Sequence, residues 1–406
     1  MSAAVAVTGL GMVTPAGNDT ASTWARLCEG RSTARTDPEL ADCAVSFSCR
    51  AANFDPVSLL GRSLTWRIDR FIQMAMVAAR EAVADARLGR DQWDPARVGV
   101  VLGAGTGGCD TSIATFTKII DHRHKSVTPT YVPRSAPNMA AGEICIDLGI
   151  RGPSMAIATA CASGGTALVI ADQLLRSGTC DIVLAGGSEV ARHPLSAVAF
   201  DRMSALSRRV HDPEGASRPF DADRDGFVLG EGAAVLVLER AEHAHARRAP
   251  VQAYLAAAVA STDAHHPTAP VPDGSSAART IGAALARAGL SPADVGHVNA
   301  HGTSTRFNDL AEARALRTVF TCPPPVTATK SVIGHAIGGA GAIEAAVSVL
   351  SLVHQRVPPT ANLDRVDPDI DLDVVTKQPR EARMTAVVSN SFGFGGQNSV
   401  LVFTAP

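Results

Sequence analysis

The stretch Ser154-MAIATACASGGTALVIADQLL-Arg176 predicts a buried strand followed directly by a helix. The first residues are apolar and free of turn signals, and Ser163–Arg176 has the composition of a helix. Cys161 therefore lies where a strand ends and a helix begins. The N–H groups of the first helical turn and the positive end of the helix dipole both favour a thiolate at this position. Small residues follow the cysteine, so a carbonyl could approach the sulfur, as covalent acyl transfer requires.

A buried structural cysteine is the alternative interpretation of Cys161, and it is the commoner fate of a free thiol. The chain has eight cysteines, and none of them forms a C-x-x-C pair, which argues against a zinc site and against a disulfide scaffold. We therefore expect a reducing, cytoplasmic setting. Cys161 needs chemical partners elsewhere in the sequence before the catalytic interpretation is preferred.

Length and charge limit the class of protein. A chain of 406 residues exceeds one typical core, which predicts two domains or one duplicated unit. With 37 basic and 39 acidic residues, nothing suggests a nucleic-acid surface. The longest apolar stretch, 336–354, contains Glu344 and several glycines, so a buried helix is the better interpretation than a membrane span.

Strand-like and helix-like segments alternate along the chain, which predicts an α/β fold with largely parallel sheets covered by helices. A first series extends to about residue 240, and a second begins near Val251. The polar, proline-terminated stretch between Glu242 and Val251 is the predicted junction, dividing the chain into residues 1–250 and 251–406. The two series share a plan without an obvious letter repeat, so we expect a duplication. Predicted helices include 67–86, 163–176 and 336–354, and predicted strands include 4–8, 98–102 and 295–299.

Three motif matches lack the context that their functions need. Gly103–Gly108 fits G-x-G-x-x-G, but no second strand with an acidic residue follows at the required distance. Asp221–Gly226 copies the start of an EF-hand loop, but the twelfth position is Gly232 instead of glutamate. Three histidine pairs lie in polar stretches and are expected to be surface residues: His122/His124, His243/His245 and His265/His266.

Two further segments place titratable groups among small residues. In the first, His301 ends a predicted strand and is followed by the hydroxyls of Thr303 and Thr305. In the second, Lys330 and His335 lie on a glycine-rich turn into the helix that contains Glu344. The tail adds a double-glycine loop, Ser389-NSFGFGGQNS-Val400, which can present a backbone N–H to an oxyanion. Two neutral imidazoles donating to one oxygen would stabilise an enolate formed by loss of CO₂, without a metal or an external cofactor.

These segments together resemble the β-ketoacyl–acyl-carrier-protein synthases of the elongating type. The resemblance rests on ATACASGG, RPFDADRDGFVLGEGA, NAHGTSTRFND, KSVIGHAIGGAGAIE and NSFGFGGQN, and it extends from VAVTGLGMVTPAG to SVLVF. It implies a thiolase-like fold of two similar halves in five αβαβα layers, with the active site between them. It also implies an obligate dimer and substrates carried on the phosphopantetheine of acyl carrier protein.

The resemblance also implies a role for each matching residue. Cys161 would be the acylated nucleophile, and His301 and His335 would bind the malonyl thioester carbonyl. Lys330 and Glu344 would form the electrostatic network behind the imidazoles. Initiating synthases use Cys–His–Asn and thiolases need a second catalytic cysteine near the C-terminus, so the pattern here is the elongating one.

Four more residues are predicted to contact substrate. Thr303 and Thr305 would bind the phosphopantetheine arm, and Phe392 would lie against the substrate. Phe394 would gate the acyl chain, and its backbone N–H would join that of Cys161 in the oxyanion hole. Carrier docking is predicted on basic residues, with ordinary solvated arginines as the alternative: Arg67, Arg70 and Arg209.

Two positions favour a ketosynthase of type II polyketide biosynthesis. Thr106 lies where housekeeping synthases commonly have a bulkier apolar residue at the pocket floor, and Arg306–Asp309 lacks the proline of the housekeeping version. We therefore predict a heterodimer with a chain-length-factor subunit. The alternatives are a housekeeping fatty-acid synthase acting as a homodimer and a catalytically silent partner subunit, although such a subunit has no need of Cys161.

Overall fold

A computed structural model describes residues 4–406, except for the side chain of Arg90. Strands and helices alternate through both halves of the chain. The strands are β1 (Val5–Val13), β2 (Ala34–Thr36), β3 (Phe47–Cys49), β4 (Val98–Gly103), β5 (Ser154–Ile157), β6 (Ile182–Val190), β7 (Glu231–Arg240), β8 (Ala253–Thr262), β9 (Val295–Asn299), β10 (Val326–Thr327), β11 (Arg356–Val357), β12 (Arg380–Glu381), β13 (Ala386–Gly393) and β14 (Gln397–Thr404). The helices are α1 (Thr20–Glu29), α2 (Pro56–Leu60), α3 (Arg62–Arg67), α4 (Arg70–Asp85), α5 (Cys109–Ile120), α6 (Tyr131–Ser135), α7 (Met139–Leu148), α8 (Ser163–Arg176), α9 (Pro194–Arg202), α10 (Ala241–Ala246), α11 (Ser275–Ala288), α12 (Arg306–Val319), α13 (Lys330–Ile333) and α14 (Ala340–His354).

The main sheet consists of two similar five-stranded halves. One half has the order β5-β4-β6-β7-β1, and the other has the order β10-β9-β13-β14-β8. In each half the first two pairings are parallel and the last two are antiparallel. The halves join where Val5–Val7 of β1 pairs with residues 253–255 of β8. The structure therefore shows the duplicated plan that the alternation of elements predicted.

The prediction of largely parallel sheets holds for the direction of most strands, but neither half is purely parallel. Four of the five strands in each half run in the same direction, and the fifth, β7 or β14, runs against them. In the second half β13 and β14 form a hairpin whose connection is only residues 394–396. An antiparallel pair can be joined by so short a turn, whereas a parallel pair needs a long crossover.

Helices fill three layers around the two halves of the sheet. The helices α8 and α14 pack against each other between the halves. The helices α4 and α7 cover the first half from outside, while α11 and α12 cover the second. The molecule is therefore the five-layer, thiolase-like α/β fold that the resemblance implied.

The apolar segment Ile337–His354 lies at the centre of the molecule. It is long and apolar enough to cross a membrane by length and composition, but 89% of its residues are buried inside the protein. Every residue from Ala340 to Leu352 is buried. This confirms the prediction of a core helix.

Two predicted helices begin later in the structure. The helix predicted over 67–86 begins instead at Arg70, as α4, because Ile68 and Asp69 are extended and the Asp69 carboxylate caps its N-terminus; Arg67 is the last residue of α3. The helix predicted from Ala336 begins instead at Ala340, after a 3₁₀ turn over Ile337–Gly339. At α4 the cap formed by Asp69 sets the start of the helix, and at α14 the glycine-containing turn does so, although the apolar periodicity begins earlier in both.

Candidate active site

Three segments that are distant in sequence bring Cys161, His301 and His335 together. The cysteine sulfur and one ring nitrogen of each histidine all lie within 4.8 Å of one another. All three residues are buried, and all three line a cleft of about 780 Å³ that opens to the surface. The structure therefore places the predicted nucleophile and both predicted imidazoles at one accessible point.

The turn that carries Cys161 is held by its neighbours. Ala160 has a left-handed backbone with φ of +48°, which is a strained conformation for a residue other than glycine. The Ser163 hydroxyl donates to the Ala160 carbonyl at 2.6 Å and accepts the Thr159 N–H at 2.9 Å. A Cβ on Gly393 would lie 3.0 Å from the Cys161 nitrogen, so only glycine lets the end of β13 approach this closely.

The resting state of Cys161 differs from the prediction. Burial raises the pKa of the Cys161 thiol to about 11, although Lys330 and the backbone N–H groups of Phe394 and Cys161 oppose this shift. The expected preference for a thiolate is therefore wrong, because this pKa makes the thiol the favoured form at neutral pH. Desolvation in the closed turn outweighs the favourable field of the helix N-terminus.

Lys330 fixes the protonation pattern of His301. Its ammonium group lies 3.2 Å from Nδ1 of His301, donates to the His301 carbonyl at 2.7 Å, and forms an ion pair with Glu344. An ammonium group can only donate, so Nδ1 accepts. In a neutral ring the proton is then on Nε2. The ion pair with Glu344 holds the ammonium group of Lys330 in place from the other side.

Both imidazoles are neutral at physiological pH. Burial, then the charge of Lys330 and the neighbouring His335, holds the pKa of His301 well below its usual range. Burial and Lys330 do the same to the pKa of His335. The two rings meet edge to face with centroids 5.6 Å apart. Each ring therefore has one N–H available as a hydrogen-bond donor.

His335 is less constrained than His301. Neither of its ring nitrogens has a hydrogen-bond partner among the described residues, although the ring is only 1% exposed. Its orientation is set by packing, with the ring of Phe227 edge-on at 5.3 Å. The ring nitrogen that lies near Cys161 and His301 is therefore free to bind a group that enters the cleft.

Glu344 is the buried counterion of Lys330. Burial raises the pKa of its carboxyl, and Lys330 opposes this shift. Thr329 contributes a hydroxyl 3.3 Å from the same carboxylate. The predicted electrostatic network behind the imidazoles is therefore present as a spatial arrangement.

Sequence analysis missed Glu312. Its buried carboxylate accepts the backbone N–H of His301 at 2.9 Å and that of Gly302 at 2.8 Å, and Asn390 donates to it at 3.1 Å. It therefore fixes the chain turn that presents His301 to the cleft. The signal that could have revealed it is an acidic residue on the helix directly after the His–Gly turn, in a stretch otherwise rich in alanine.

The predicted substrate-contacting residues line the cleft, with one exception. The hydroxyls of Thr303 and Thr305 lie 2.9 Å apart, and the Phe392 ring lies 6.0 Å from that of His301. Phe394 also lines the cleft, and its ring is 6.3 Å from that of Phe200, a second aromatic that the sequence did not single out. The exception is Thr106.

Thr106 is exposed on the surface of this single chain and does not line the cleft. Its hydroxyl donates to buried Glu189 at 2.8 Å. The Glu189 carboxylate also accepts the Gly105 N–H, and it lies beside Gly338, next to the cleft residue Ile337. The predicted position at the pocket floor would therefore need a second subunit to cover Thr106.

The three docking arginines differ in how free their charges are. Arg70 is not a surface base, because both branches of its guanidinium bind the fully buried Glu231, each at 2.8 Å. We therefore withdraw it from the docking prediction. Arg67 binds Glu143 at 2.8 Å but stays 53% exposed, and Arg209 is half-buried, donating to the carbonyl of Asp223.

The glycine-rich turn, the EF-hand-like segment and two of the histidine pairs can now be placed in the structure. Gly103–Gly108 forms the turn between β4 and α5, and Asp221 accepts the guanidinium of Arg218 at 2.9 Å. His243 departs from the expectation of a surface residue, because its ring is half-buried and binds the buried Glu239 at 2.7 Å. His265 and His266 are exposed, and His266 lies at the mouth of the cleft.

Comparison with known families matches almost the whole chain. The family description "Beta-ketoacyl synthase, N-terminal domain" matches residues 2–244, and "Beta-ketoacyl synthase, C-terminal domain" matches residues 252–364. The chain is 41% identical over 404 residues to 3-oxoacyl-[acyl-carrier-protein] synthase 2 of Synechocystis sp., covering 98% of this chain and 97% of that protein. It is 42% identical over 407 residues to the corresponding Vibrio harveyi synthase, covering 98% of each.

Solved structures with the same fold include polyketide enzymes. The ishigamide ketosynthase/chain length factor superposes with a TM-score of 0.94 at 32% identity, with all of both chains covered. The type II polyketide ketosynthase AntDE, in complex with its acyl-carrier protein AntF, gives 0.92 at 32% identity, again with full coverage. A β-ketoacyl synthase from Burkholderia phymatum gives 0.93 at 33% identity, also with full coverage of both chains.

Proposed function

Since the chain belongs to the β-ketoacyl synthase family and is an acyltransferase of the condensing type, we propose that Cys161 carries its growing acyl chain. His301 and His335 then promote condensation of that chain with malonyl–acyl carrier protein to give a 3-oxoacyl carrier. The observation that carries this proposal is the meeting of the sulfur and both imidazoles within 4.8 Å at the end of one cleft.

The first step transfers the acyl group to Cys161. The sulfur attacks the thioester carbonyl, the bond from this carbon to the carrier sulfur breaks, and the thiol proton leaves on the released carrier thiol. Because the proton ends on the leaving group, no net base is consumed. The N–H groups of Phe394 and Cys161 are directed at the sulfur and would stabilise the oxyanion. Thr303 and Thr305 line the route of the phosphopantetheine arm.

The second step forms the new carbon–carbon bond. Nε2–H of His301 and one ring N–H of His335 donate to the malonyl thioester oxygen, so negative charge gathers there as the bond to the carboxylate breaks and CO₂ leaves. The enolate carbon attacks the acyl thioester on Cys161. The cysteine sulfur departs as a thiolate and takes a proton from water. We propose that no metal and no organic cofactor takes part, because the neutral imidazoles supply the electrophile.

We further propose that the pathway is type II polyketide synthesis in the cytoplasm, with a chain-length-factor-like subunit as partner. The small polar Thr106 and its bond to Glu189 support this, because they leave room and polarity where a bulkier apolar side chain would close a fatty-acid pocket. Thr106 is exposed in the single chain, as expected for a residue that a partner subunit covers. All eight cysteines are free thiols, in keeping with a reducing compartment.

A second candidate is a housekeeping fatty-acid synthase that acts as a homodimer. The identity of 41–42% to the curated 3-oxoacyl synthases, against 32–33% to the polyketide-type and Burkholderia structures quoted above, favours it. The purified chain is tested alone with saturated acyl carriers and malonyl carrier, and its mass in solution is measured. A stable homodimer that elongates saturated chains without a second subunit would reject the polyketide proposal and leave the condensation chemistry intact.

A further inference from the structure

The side chains that we propose for condensation also form a set of metal ligands. One thiol and two neutral imidazoles converge within 4.8 Å, which are the ligand types that Zn²⁺ prefers. Independently of this cluster, His335 has two ring nitrogens without partners while its side chain is only 1% exposed. A buried, unsatisfied imidazole that faces a cleft is poised to bind an entering group.

We propose that Cys161, His301 and His335 capture a thiophilic divalent cation of the Zn²⁺ type, and that this capture blocks acyl loading. The ion would be an inhibitor and not a resident cofactor. The proposal uses the same three side chains as the proposed condensation, but whether the ion binds can be measured without turnover.

The geometry needs only a small contraction. Zinc–sulfur and zinc–nitrogen bonds of about 2.3 and 2.0 Å place tetrahedral ligands about 3.5 Å apart, so atoms within 4.8 Å must close by about 1 Å. Because Lys330 occupies Nδ1 of His301, the metal would take Nε2, on the side of the cleft. The ring of His335 makes no hydrogen bond among the described residues, so its nitrogen can bind the metal without breaking one.

The cleft supplies both an entry path and the fourth ligand position. Cys161, His301 and His335 all line the 780 Å³ opening, so water or a small anion can complete the coordination. Binding exchanges two protons for the metal: the Cys161 thiol and Nε2 of His301 each release one, while Lys330 passes a proton to Nδ1 of the same ring, and no electron is transferred. In the resulting zinc thiolate the metal withdraws electron density from the sulfur and occupies the space that a thioester carbonyl would have to enter, so acyl loading is blocked.

Other histidines and cysteines do not make a comparable set among the described residues. Cys109 lies 3.7 Å from His193, but no third ligand completes that pair. His243 is bound to Glu239, and His245 lies 3.0 Å from the hydroxyl of Tyr254. The predicted stoichiometry is therefore one tightly bound ion per chain.

The test uses the full chain after treatment with a chelator. Zn²⁺ binding is measured by calorimetry, Co²⁺ binding by the thiolate-to-cobalt charge-transfer absorption, and alkylation of Cys161 by peptide mass spectrometry. We expect one site per chain, a cobalt–thiolate band, and protection of Cys161 from iodoacetamide by Zn²⁺. Cys161→Ser and His335→Gln should each weaken binding at least about tenfold.

The matched control is Cys322→Ser, which removes an exposed thiol that does not line the cleft and should leave all three readouts unchanged. Circular dichroism and the thermal midpoint of each variant establish that it is folded. Equal Zn²⁺ affinity in Cys161→Ser, or alkylation of Cys161 at the same rate with and without Zn²⁺, would overturn the proposal. A chain that binds the ion but cannot be acylated would instead refute the proposed function alone.

Discussion

The ammonium group of Lys330 lies 3.2 Å from Nδ1 of His301 and contacts buried Glu344 on its other side. This contact decides which nitrogen of His301 has the proton. With Nδ1 accepting, the donor is Nε2–H, and a lysine–carboxylate pair becomes a means of orienting a neutral imidazole.

Replacing Lys330 should therefore impair decarboxylation more than acyl loading. In Lys330→Met, His301 loses the group that fixes its tautomer, and we expect CO₂ release from malonyl carrier to fall by about 100-fold or more. Loading of Cys161 should fall far less, because its oxyanion donors are backbone groups. The two steps are measured separately as CO₂ release and as acylation of the protein.

The double variant Lys330→Met/Glu344→Gln serves as the control for folding. It removes the unpaired buried carboxylate that the single variant would leave. If the double variant regained normal decarboxylation, the lysine would be needed only to neutralise Glu344 and not to orient His301.

Glu312 should prove to be a positioning residue. In Glu312→Gln one of the two backbone N–H groups, of His301 or Gly302, loses its acceptor. We expect a loss of about 1–3 kcal/mol in the free energy of unfolding and a lower kcat for condensation, with little change in KM. Urea denaturation and steady-state kinetics measure the two effects. An unchanged kcat in a destabilised but folded variant would mean that Glu312 only supports the fold.

The reactivity of Cys161 should rise steeply with pH. Below a pKa of about 11 the thiol predominates, so the rate of iodoacetamide alkylation should increase about tenfold per pH unit between about pH 7 and pH 9. Peptide mass spectrometry follows the site, and exposed Cys322 provides an internal comparison. A rate that is already flat above about pH 7 would show a resting thiolate and restore the expectation drawn from the helix dipole.

In acid, activity should be lost only at pH values below the ordinary pKa range of histidine. The pKa values of His301 and His335 are both lowered, so both rings stay neutral as pH falls through the value of a solvated imidazole. Decarboxylation should therefore persist below about pH 6.5 and fail only when an imidazole is protonated. The rate of CO₂ release, measured over the pH range in which the protein stays folded, checks this. A half-maximal rate near about pH 6.5 would contradict it.

Two neighbouring arginines should separate docking from stability. Arg67→Ala is expected to raise KM for carrier-bound substrates and to spare simple thioesters, because its guanidinium is partly exposed. Arg70→Ala should instead cost about 3 kcal/mol of stability, since it leaves the buried Glu231 with the Ala51 N–H and, as a charged partner, the more distant Arg192.

Arg209→Glu should act like Arg67→Ala. Kinetics with carrier-bound and with simple thioesters identify the docking variants, and thermal midpoints identify a variant that loses stability. An equal rise in KM for both substrates in the Arg67 and Arg209 variants would exclude docking.

The sequence was most informative where a nucleophilic or titratable side chain lies among small residues. Cys161, His301 and His335 were predicted from local turns, and the structure places them together. The bounds of α8 and β9 follow from composition, because both elements are continuous and well bounded. The one strand in each half that runs against the others, β7 or β14, could not be predicted, since the direction of a strand depends on how distant segments pair.

The sequence was least informative about burial. A helix N-terminus suggested a thiolate, but the free-energy cost of removing the charged sulfur from water depends on the whole turn and on the approach of β13. In the same way, Arg70 is a plausible docking base in the sequence, and only the structure shows that its charge is paired with the buried Glu231. Glu312 was missed because its acceptor role depends on the path of the backbone near His301.

The most direct test is whether an acyl group rests on Cys161. Intact-protein mass spectrometry after incubation with an acyl carrier should show one added acyl group, which peptide mapping assigns to Cys161, and this group should be lost as 3-oxoacyl carrier when malonyl carrier is added. Cys161→Ala, with its thermal midpoint unchanged, should show no added mass. No acylation of the native chain, or equal acylation of Cys161→Ala, would contradict the assignment of Cys161 as the nucleophile.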